Sequence, residues 1–391
     1  MRTLLPCLIL FLLFLVWERI ALSRSLRRIP LRIAVTGTRG KSSVSRLLAS
    51  ILREDGRRVL AKTTGSQATI LLPDGSQIEL DRSVPPSILE QKQLVKKAAR
   101  LKADCLVAEV MSIHPENHYV ESHHILRPNV VAITNVRRDH TEAMGETEDQ
   151  IASVLSLDIC PQSTVFLPET DNHASFRSEA LRCGARLLTV ATGSSAPLMQ
   201  AAPDLFKLEF SDNLDLVNAI ATHLGISRGI IIDGIRKARH DLGKLRIWRH
   251  RPDDGDRTCY LVNAFAANDP DSTFRVLSKA GDLLKSDTSN IIGILNLRAD
   301  RVPRTVQWIS VLKSGAMGRF ARLFVTGDSA ALVRRRLQGV HVLKAASPEK
   351  MMQIVCSGAP DGSLIFGFGN VKGSGKLLIE YWSRIGEPYG I

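Results

Sequence analysis

The sequence offers little for cross-linking or metal clustering: its six cysteines, Cys7, Cys105, Cys160, Cys183, Cys259 and Cys356, are scattered, with no CxxC pair and no metal-ligand spacing. That excludes a disulfide framework, argues against structural zinc, and fits buried thiols in a reducing compartment. No internal repeat of roughly 20–50 residues is present, which excludes solenoids and propellers. Polar low-complexity tracts are also missing. With 44% hydrophobic and 23% charged residues, the chain is neither disordered, collagen-like nor a coiled coil. Its 391 residues predict two or three domains at roughly 100–200 residues each.

Acidic residues are nearly missing from the first 62 positions, which hold 13 Lys/Arg and 3 Asp/Glu. Of the net charge of +13, +10 therefore lies there, and the remaining 329 residues carry only +3. Such a local excess beside an apolar segment points to a membrane surface, and no nucleic-acid partner is expected.

Residues 4–17 form an uncharged apolar run, interrupted by Glu18 and Arg19. As a helix the run spans roughly 21 Å, short of the ~30 Å hydrocarbon core. A cleaved signal peptide is the competing reading. Against it, only Arg2 precedes the run, Arg19, Arg24, Arg27, Arg28 and Arg32 come after it, and no clear small-x-small site ends it. The charge asymmetry keeps the C-terminal side cytoplasmic, with Trp17 at the interface. The expectation is a cell-membrane protein with a single-pass or monotopic anchor over residues 1–23.

From residue 31 the chain reads Leu-Arg-Ile-Ala-Val-Thr-Gly-Thr-Arg-Gly-Lys-Ser-Ser. Ile33, Ala34 and Val35 suit a buried strand, and Val44, Leu47, Leu48, Ile51 and Leu52 recur at helical spacing until Gly56. A glycine loop joining strand to helix is the context a phosphate site requires. Gly37 and Gly40 let backbone N–H groups face an anion, Lys41 neutralises phosphate charge, and Ser42 offers a hydroxyl to Mg²⁺. Thr38, Arg39 and Ser43 complete the candidate loop. The full Walker pattern would have Gly where Val35 stands.

Residues 105–109 read as a buried strand ending in Glu109, and residues 130–134 as another, with His140 a few positions beyond it. Side chains beyond the C-terminal ends of parallel strands converge on ligands. Ser42, Glu109 and His140 thus form a candidate Mg²⁺ or Mn²⁺ set. The irregular spacing of His114, His118, His123 and His124 instead predicts a solvated histidine-rich loop.

Thr-Gly-Thr-Arg-Gly-Lys-Ser-Ser at 36–43, Glu-Val-Met-Ser at 109–112, Asn-Val-Arg-Arg-Asp-His-Thr-Glu-Ala-Met-Gly at 135–145 and Asn-Leu-Asp-Leu-Val-Asn-Ala-Ile-Ala at 213–221 resemble successive motifs of the Mur ligase superfamily. These are ATP-dependent amide-forming enzymes. Within the superfamily the chain looks most like ligase subunits of poly-γ-glutamate synthases. The apolar N-terminus, Lys-Thr-Thr-Gly at 62–65, Asn-x-Phe-Ala-Ala-Asn-Asp at 263–269, Arg-Ala-Asp-Arg at 298–301 and Gly-x-Gly-Asn at 367–370 carry that likeness.

The resemblance implies ATP as cofactor, with Lys41 on its phosphates, Asn218 on adenine and Arg246 on the γ-phosphate, and metal ions on Ser42, Glu109 and His140. Asn263 stands near a position where many relatives keep a ribose-binding aspartate. A carbamylated lysine usual in the family has no counterpart, because residues 149–160 contain no lysine; Asp158 is a candidate substitute. Asn268 and Asp269 are expected at the substrate, Asp269 also as a candidate base for the amine. Arg298, Arg301 and Arg304 are expected to recognise carboxylates. The implied partners are glutamate, the poly-γ-glutamate chain and membrane subunits for synthesis and export, with self-association left open. The reaction implied is attack of a carboxylate on ATP to give an acyl phosphate, then attack by an amine. A membrane-tethered P-loop NTPase or kinase, and a nucleotide-binding scaffold, are the alternatives.

Strands are expected near 59–61, 105–109, 130–134, 164–167 and 187–190, then 260–262, 291–295, 322–325 and 364–367. Helices are expected within 272–284, 303–312 and 351–356. This alternation predicts an α/β protein with two mostly parallel sheets. The resemblance makes the first a P-loop-type ATP-binding domain over 30–228 and the second a smaller Rossmann-like domain over 246–391. Residues 225–243, rich in glycine and polar residues, are the linker candidate, with 229–245 as its bounds.

Overall fold

The computed structural model describes residues 4–65, 67–80, 86–203, 209–239, 241–252, 257–284, 290–344 and 347–389. Two compact units are present: residues 1–203 with 210–240, and residues 204–209 with 241–391.

The first unit contains strands β1 (Leu31–Thr36), β2 (Val59–Thr63), β3 (Thr69–Leu71), β4 (Gln77–Glu79), β5 (Cys105–Glu109), β6 (Val130–Ile133), β7 (Thr164–Pro168) and β8 (Arg186–Val190), in the order β4-β3-β2-β5-β1-β6-β7-β8. From β2 to β8 every pairing is parallel, and β3 and β4 add an antiparallel edge. Strand β1 is central, and both β1 and β5 are buried along most of their length. Sheets covered on both faces by helices demand such continuous apolar runs.

The Leu4–Arg27 helix runs without interruption from an exposed apolar half into this unit. Leu22, Leu26 and Ile29 join a core with Leu60, Leu94, Val95, Ala98 and Leu106. The apolar N-terminal element therefore extends beyond residue 23 and belongs to the core at its C-terminal end.

Residues 228–237, within the expected linker region, form a helix. Gly234 lies so close to the Lys41–Glu54 helix that a Cβ there would stand 2.5 Å from Ile51 Cα. Its glycine permits helix–helix contact rather than a flexible connection.

The second unit holds β9 (Arg246–His250), β10 (Cys259–Ala264), β11 (Ile291–Leu297), β12 (Arg322–Gly327), β13 (Val340–Val342), β14 (Ser363–Phe368) and β15 (Glu387–Tyr389), in the order β13-β12-β11-β14-β10-β9-β15. The first five strands in that order are parallel; β9 and β15 are antiparallel additions. Its core is built on Trp248, Phe265, Ile294, Ile365 and Trp382. Glu209 belongs to this unit, 2.6 Å from the Lys244 ammonium.

Candidate active site

The loop after β1 is tightly confined. Gly37 has φ +119°, and a Cβ there would meet Thr134 Oγ1 at 2.2 Å; Gly40 has φ +84°, and a Cβ would meet Asn213 Oδ1 at 2.4 Å. Neither position admits a side chain without strain. Asn135, at the end of β6, binds the loop from one side. Its Oδ1 accepts from Thr38 Oγ1 at 2.7 Å and Arg39 N at 3.1 Å, and its Nδ2 donates to Arg39 O at 3.0 Å. Buried Asp139 pairs with the Arg39 guanidinium at 3.1 Å.

Gly40 precedes the Lys41–Glu54 helix, so the loop ends at the positive end of a helix dipole. Lys41 Nζ donates to Gly37 O at 2.6 Å. Burial lowers the Lys41 pKa from its ordinary value, while the carboxylates of Glu109, Asp139 and Asp158 act in the opposite direction. The ammonium thus stands among three acidic groups.

Ser42 and Glu109 come together as the sequence predicts. Ser42 Oγ donates to Glu109 Oε2 at 2.8 Å, and Glu109 is only 3% exposed. Thr64 supplies two further donors, N to Oε2 and Oγ1 to Oε1, both at 2.7 Å. The peptide behind Glu109 is fixed as well: Gln91 Nε2 donates to Glu109 O at 3.0 Å and to Glu121 Oε1 at 2.7 Å. Glu121 in turn accepts from the backbone of Met111 and Ser112.

His140 takes a different environment. It has φ +47°, and its ring lies 3.5 Å from Glu142 and 4.0 Å from Asp139. Among the described residues no three His, Cys, Asp or Glu side chains form a metal-holding group. The hydroxyl and buried carboxylate of Ser42 and Glu109 are the hard oxygen donors that suit Mg²⁺ or Mn²⁺ beside phosphates.

The expectation of a solvated histidine loop requires correction. Residues 115–126 are helical, passing from an α-turn into a π-helical stretch. His118 is 2% exposed, with Nδ1 2.9 Å from Asp158 Oδ2, while Ser122 Oγ donates to Asp158 Oδ1 at 2.7 Å. Asp158, the candidate substitute for the missing lysine, thus has both oxygens engaged. His123 stacks on Tyr119 at 4.4 Å, and of the four histidines only His114 is exposed.

Asn218 lies on the Ser211–His223 helix and donates to Ser194 O at 3.4 Å. One turn earlier, Asp215 accepts from Gly193 N, Ser195 N and Ser195 Oγ, fixing the loop after β8.

In the second unit, Arg246 opens β9. Asn263 is fully buried: its Nδ2 donates to Leu242 O and Lys244 O, and its Oδ1 accepts from Phe265 N. Those backbone bonds occupy the side chain expected near the ribose. Asp269 Oδ1 accepts from Ser272 N at 2.9 Å, the geometry of a helix N-cap. Arg298, Arg301 and Arg304 do converge. They line one pocket with Asn268, Asn296, Trp308 and Asn370, at the C-terminal end of β11.

Thr64, Asn135, Asp139 and Asn213 are contributors that residue-type reasoning did not single out. All four lie inside the family-like sequence motifs, so their signal was position within a motif rather than a distinctive chemistry.

Residues 35–230 match the Mur ligase middle domain, and residues 249–385 match the poly-gamma-glutamate synthase CapB C-terminal domain. The chain belongs to the Mur ligase family and is an ATP-dependent amide ligase. Within that family it falls with the CapB proteins. It is 31% identical over 387 residues to the capsule biosynthesis protein CapB of Bacillus anthracis, covering 96% of this chain and 81% of the relative. It is 28% identical over 368 residues to PGA synthase CapB of Bacillus subtilis strain 168, covering 91% of each. Its fold is similar to that of E. coli FolC in complex with ADP, with TM-score 0.69, 16% identity, and 94% and 93% of the two chains covered. It is also similar to the Yersinia pestis folylpolyglutamate synthase/dihydrofolate synthase with AMPPNP and Mn, with TM-score 0.69, 14% identity, and 94% and 92% covered.

Proposed function

We propose that the chain is a γ-glutamyl ligase that adds glutamate to a poly-γ-glutamate chain, in capsule or secreted-polymer biosynthesis, through an acyl phosphate. The carrying observation is the Lys41 loop with its Ser42–Glu109 contact at 2.8 Å, in a chain that also matches the CapB C-terminal domain. In the first step a substrate carboxylate oxygen bonds to the γ-phosphorus of ATP, and the bond from that phosphorus to the β,γ-bridging oxygen breaks, releasing ADP. In the second, a neutral amine attacks the carbonyl carbon, the carbon–oxygen bond to phosphate breaks, and the nitrogen loses a proton.

Both steps bring anions together, so fixed cations dominate the catalytic requirement. Lys41 serves the phosphates, Arg246 is assigned to the γ-phosphate, and Asn218 to adenine. Ser42 and Glu109, with His140 as the third assigned ligand, would hold a divalent cation, which supplies charge neutralisation when bound. The arginines at 298, 301 and 304 provide carboxylate donors for the polymer.

The exposed apolar half of the Leu4–Arg27 helix supports a membrane anchor with both units on the cytoplasmic side. Membrane subunits for polymer export are then its expected partners.

The test is glutamate-dependent phosphate release by membranes containing the chain, with hydroxylamine present to trap an acyl phosphate. Hydroxamate should form, and Lys41→Ala should reduce it about 10²–10³-fold, as removal of one preorganised charge stabiliser does. Phosphate release without glutamate dependence or hydroxamate would favour a kinase or scaffold instead.

A further inference from the structure

The Leu4–Arg27 helix and the Leu89–Arg100 helix run in the same sense. The first leads into β1 and the second into β5, and these parallel strands begin side by side, with Leu31 opposite Cys105. Glu18 Oε2 meets Lys92 Nζ at 3.1 Å, which fixes the two helices in height. Beyond that clasp, Leu22 and Leu26 share a core with Leu94, Val95 and Ala98. No flexible segment separates the exposed apolar half, positions 5–17, from the docked half.

Leu89 lies three residues before Lys92, and therefore about 4.5 Å nearer the apolar half. It is 54% exposed, and Ile20 on the neighbouring helix is 45% exposed. Arg19 and Arg24 are exposed on the N-terminal helix just past the clasp, while the acids Glu18 and Glu90 are already paired with Lys92 and Lys62. An exposed apolar residue level with the apolar half, with cations beginning one residue past the clasp, fits an anionic bilayer surface.

We propose that the N-terminal helix is a rigid mount and that the head of the Leu89–Arg100 helix is a second membrane contact, seating the first unit on anionic lipid. This seat rests on the membrane-anchor reading of the N-terminal helix. It holds the phosphate-loop unit at one orientation to the bilayer, because the helix enters β1 through residues 28–30 alone.

The test uses the full chain with Cys7→Ser, whose other five cysteines are buried. A fluorophore is placed through Leu89→Cys, or as control through Leu181→Cys, an 85% exposed position. Leu181 lies on the Ala174–Cys183 helix, whose Phe176 and Cys183 pack with residues of β6 and β7. From β5, into which the Leu89–Arg100 helix leads, to β7 are three strand spacings, about 14 Å. In phosphatidylcholine–phosphatidylglycerol vesicles carrying headgroup spin labels, position 89 should lose fluorescence and position 181 should not. The loss at 89 should shrink in vesicles of phosphatidylcholine alone. Vesicle-bound chain with no quenching at 89 overturns the seat while leaving the anchor standing. Chain that fails to float with vesicles overturns the anchor reading, and the seat with it.

Discussion

Glu109 illustrates how a site residue is held by groups far away in sequence. Ser42 comes from the phosphate loop, and Thr64 from the segment after β2, 45 residues before Glu109. Replacing Thr64 with Val removes one side-chain donor while keeping shape. Groups that orient a metal-holding carboxylate typically matter by about 10–100-fold in metal affinity. Thr64→Val should therefore raise the divalent-metal concentration for half-maximal activity by about that factor, with an unchanged circular dichroism spectrum. His118 predicts a pH effect. Burial lowers its pKa, but the Asp158 charge and hydrogen bond, with Glu121, outweigh burial and the opposing Lys41, leaving the imidazole above its ordinary 6.5. A raised folded pKa gives stability that is full below about 6.5 and lost as pH rises through the folded value. Urea midpoints should fall across that range for the native chain more than for His118→Gln. Cys105 carries no comparable signal: burial pushes its thiol up to about 11.

The N-terminal helix contains an exposed apolar half and a packed half, and truncations should separate them. Burying Leu22, Leu26 and Ile29 contributes about 1.5–3 kcal/mol each, comparable in sum with the roughly 5–15 kcal/mol stability of a whole domain. Removing residues 1–17 should leave cooperative thermal unfolding intact, whereas removing residues 1–29 should abolish the transition of the first unit, as measured by circular dichroism. Other elements show what sequence pattern could reveal. The central strand Cys105–Glu109 was legible with its bounds, because burial on both faces demands an unbroken apolar run. Thr69–Leu71, Gln77–Glu79, Val340–Val342 and Glu387–Tyr389 were not, since three residues are too few to show a period. The Arg228–Lys237 helix was obscured because Gly234 resembles a breaker, although its role is close packing on Ile51. In the site, Ser42 and Glu109 were legible from strand–loop–helix context. Asn263 and Asp269 show the limit: a polar side chain that satisfies backbone groups looks, in sequence, like one that awaits a ligand.

At the scale of the molecule, the two units carry different chemistry. The phosphate loop and its carboxylate lie in the first, and the arginine-lined pocket in the second. A charged hydrogen bond contributes about 1.5–3 kcal/mol, so Arg301→Ala should raise the apparent KM for the polymer about 10–100-fold. The KM for ATP should stay unchanged, which steady-state kinetics with each substrate varied would check. The positive charge does not follow that division: residues 1–62 carry +10, residues 63–240 carry −5 and residues 241–391 carry +8.

The unbroken stem also makes its length a matter of angle. Each residue added to a helix turns the downstream chain by about 100°. A single insertion between Glu18 and Leu22 would swing Leu22 and Leu26 away from Leu94 and Val95, or else rotate the first unit about the exposed apolar half of the helix. Evolution can lengthen a tether freely, but here it can change the stem only in steps near whole turns, about three or four residues at a time.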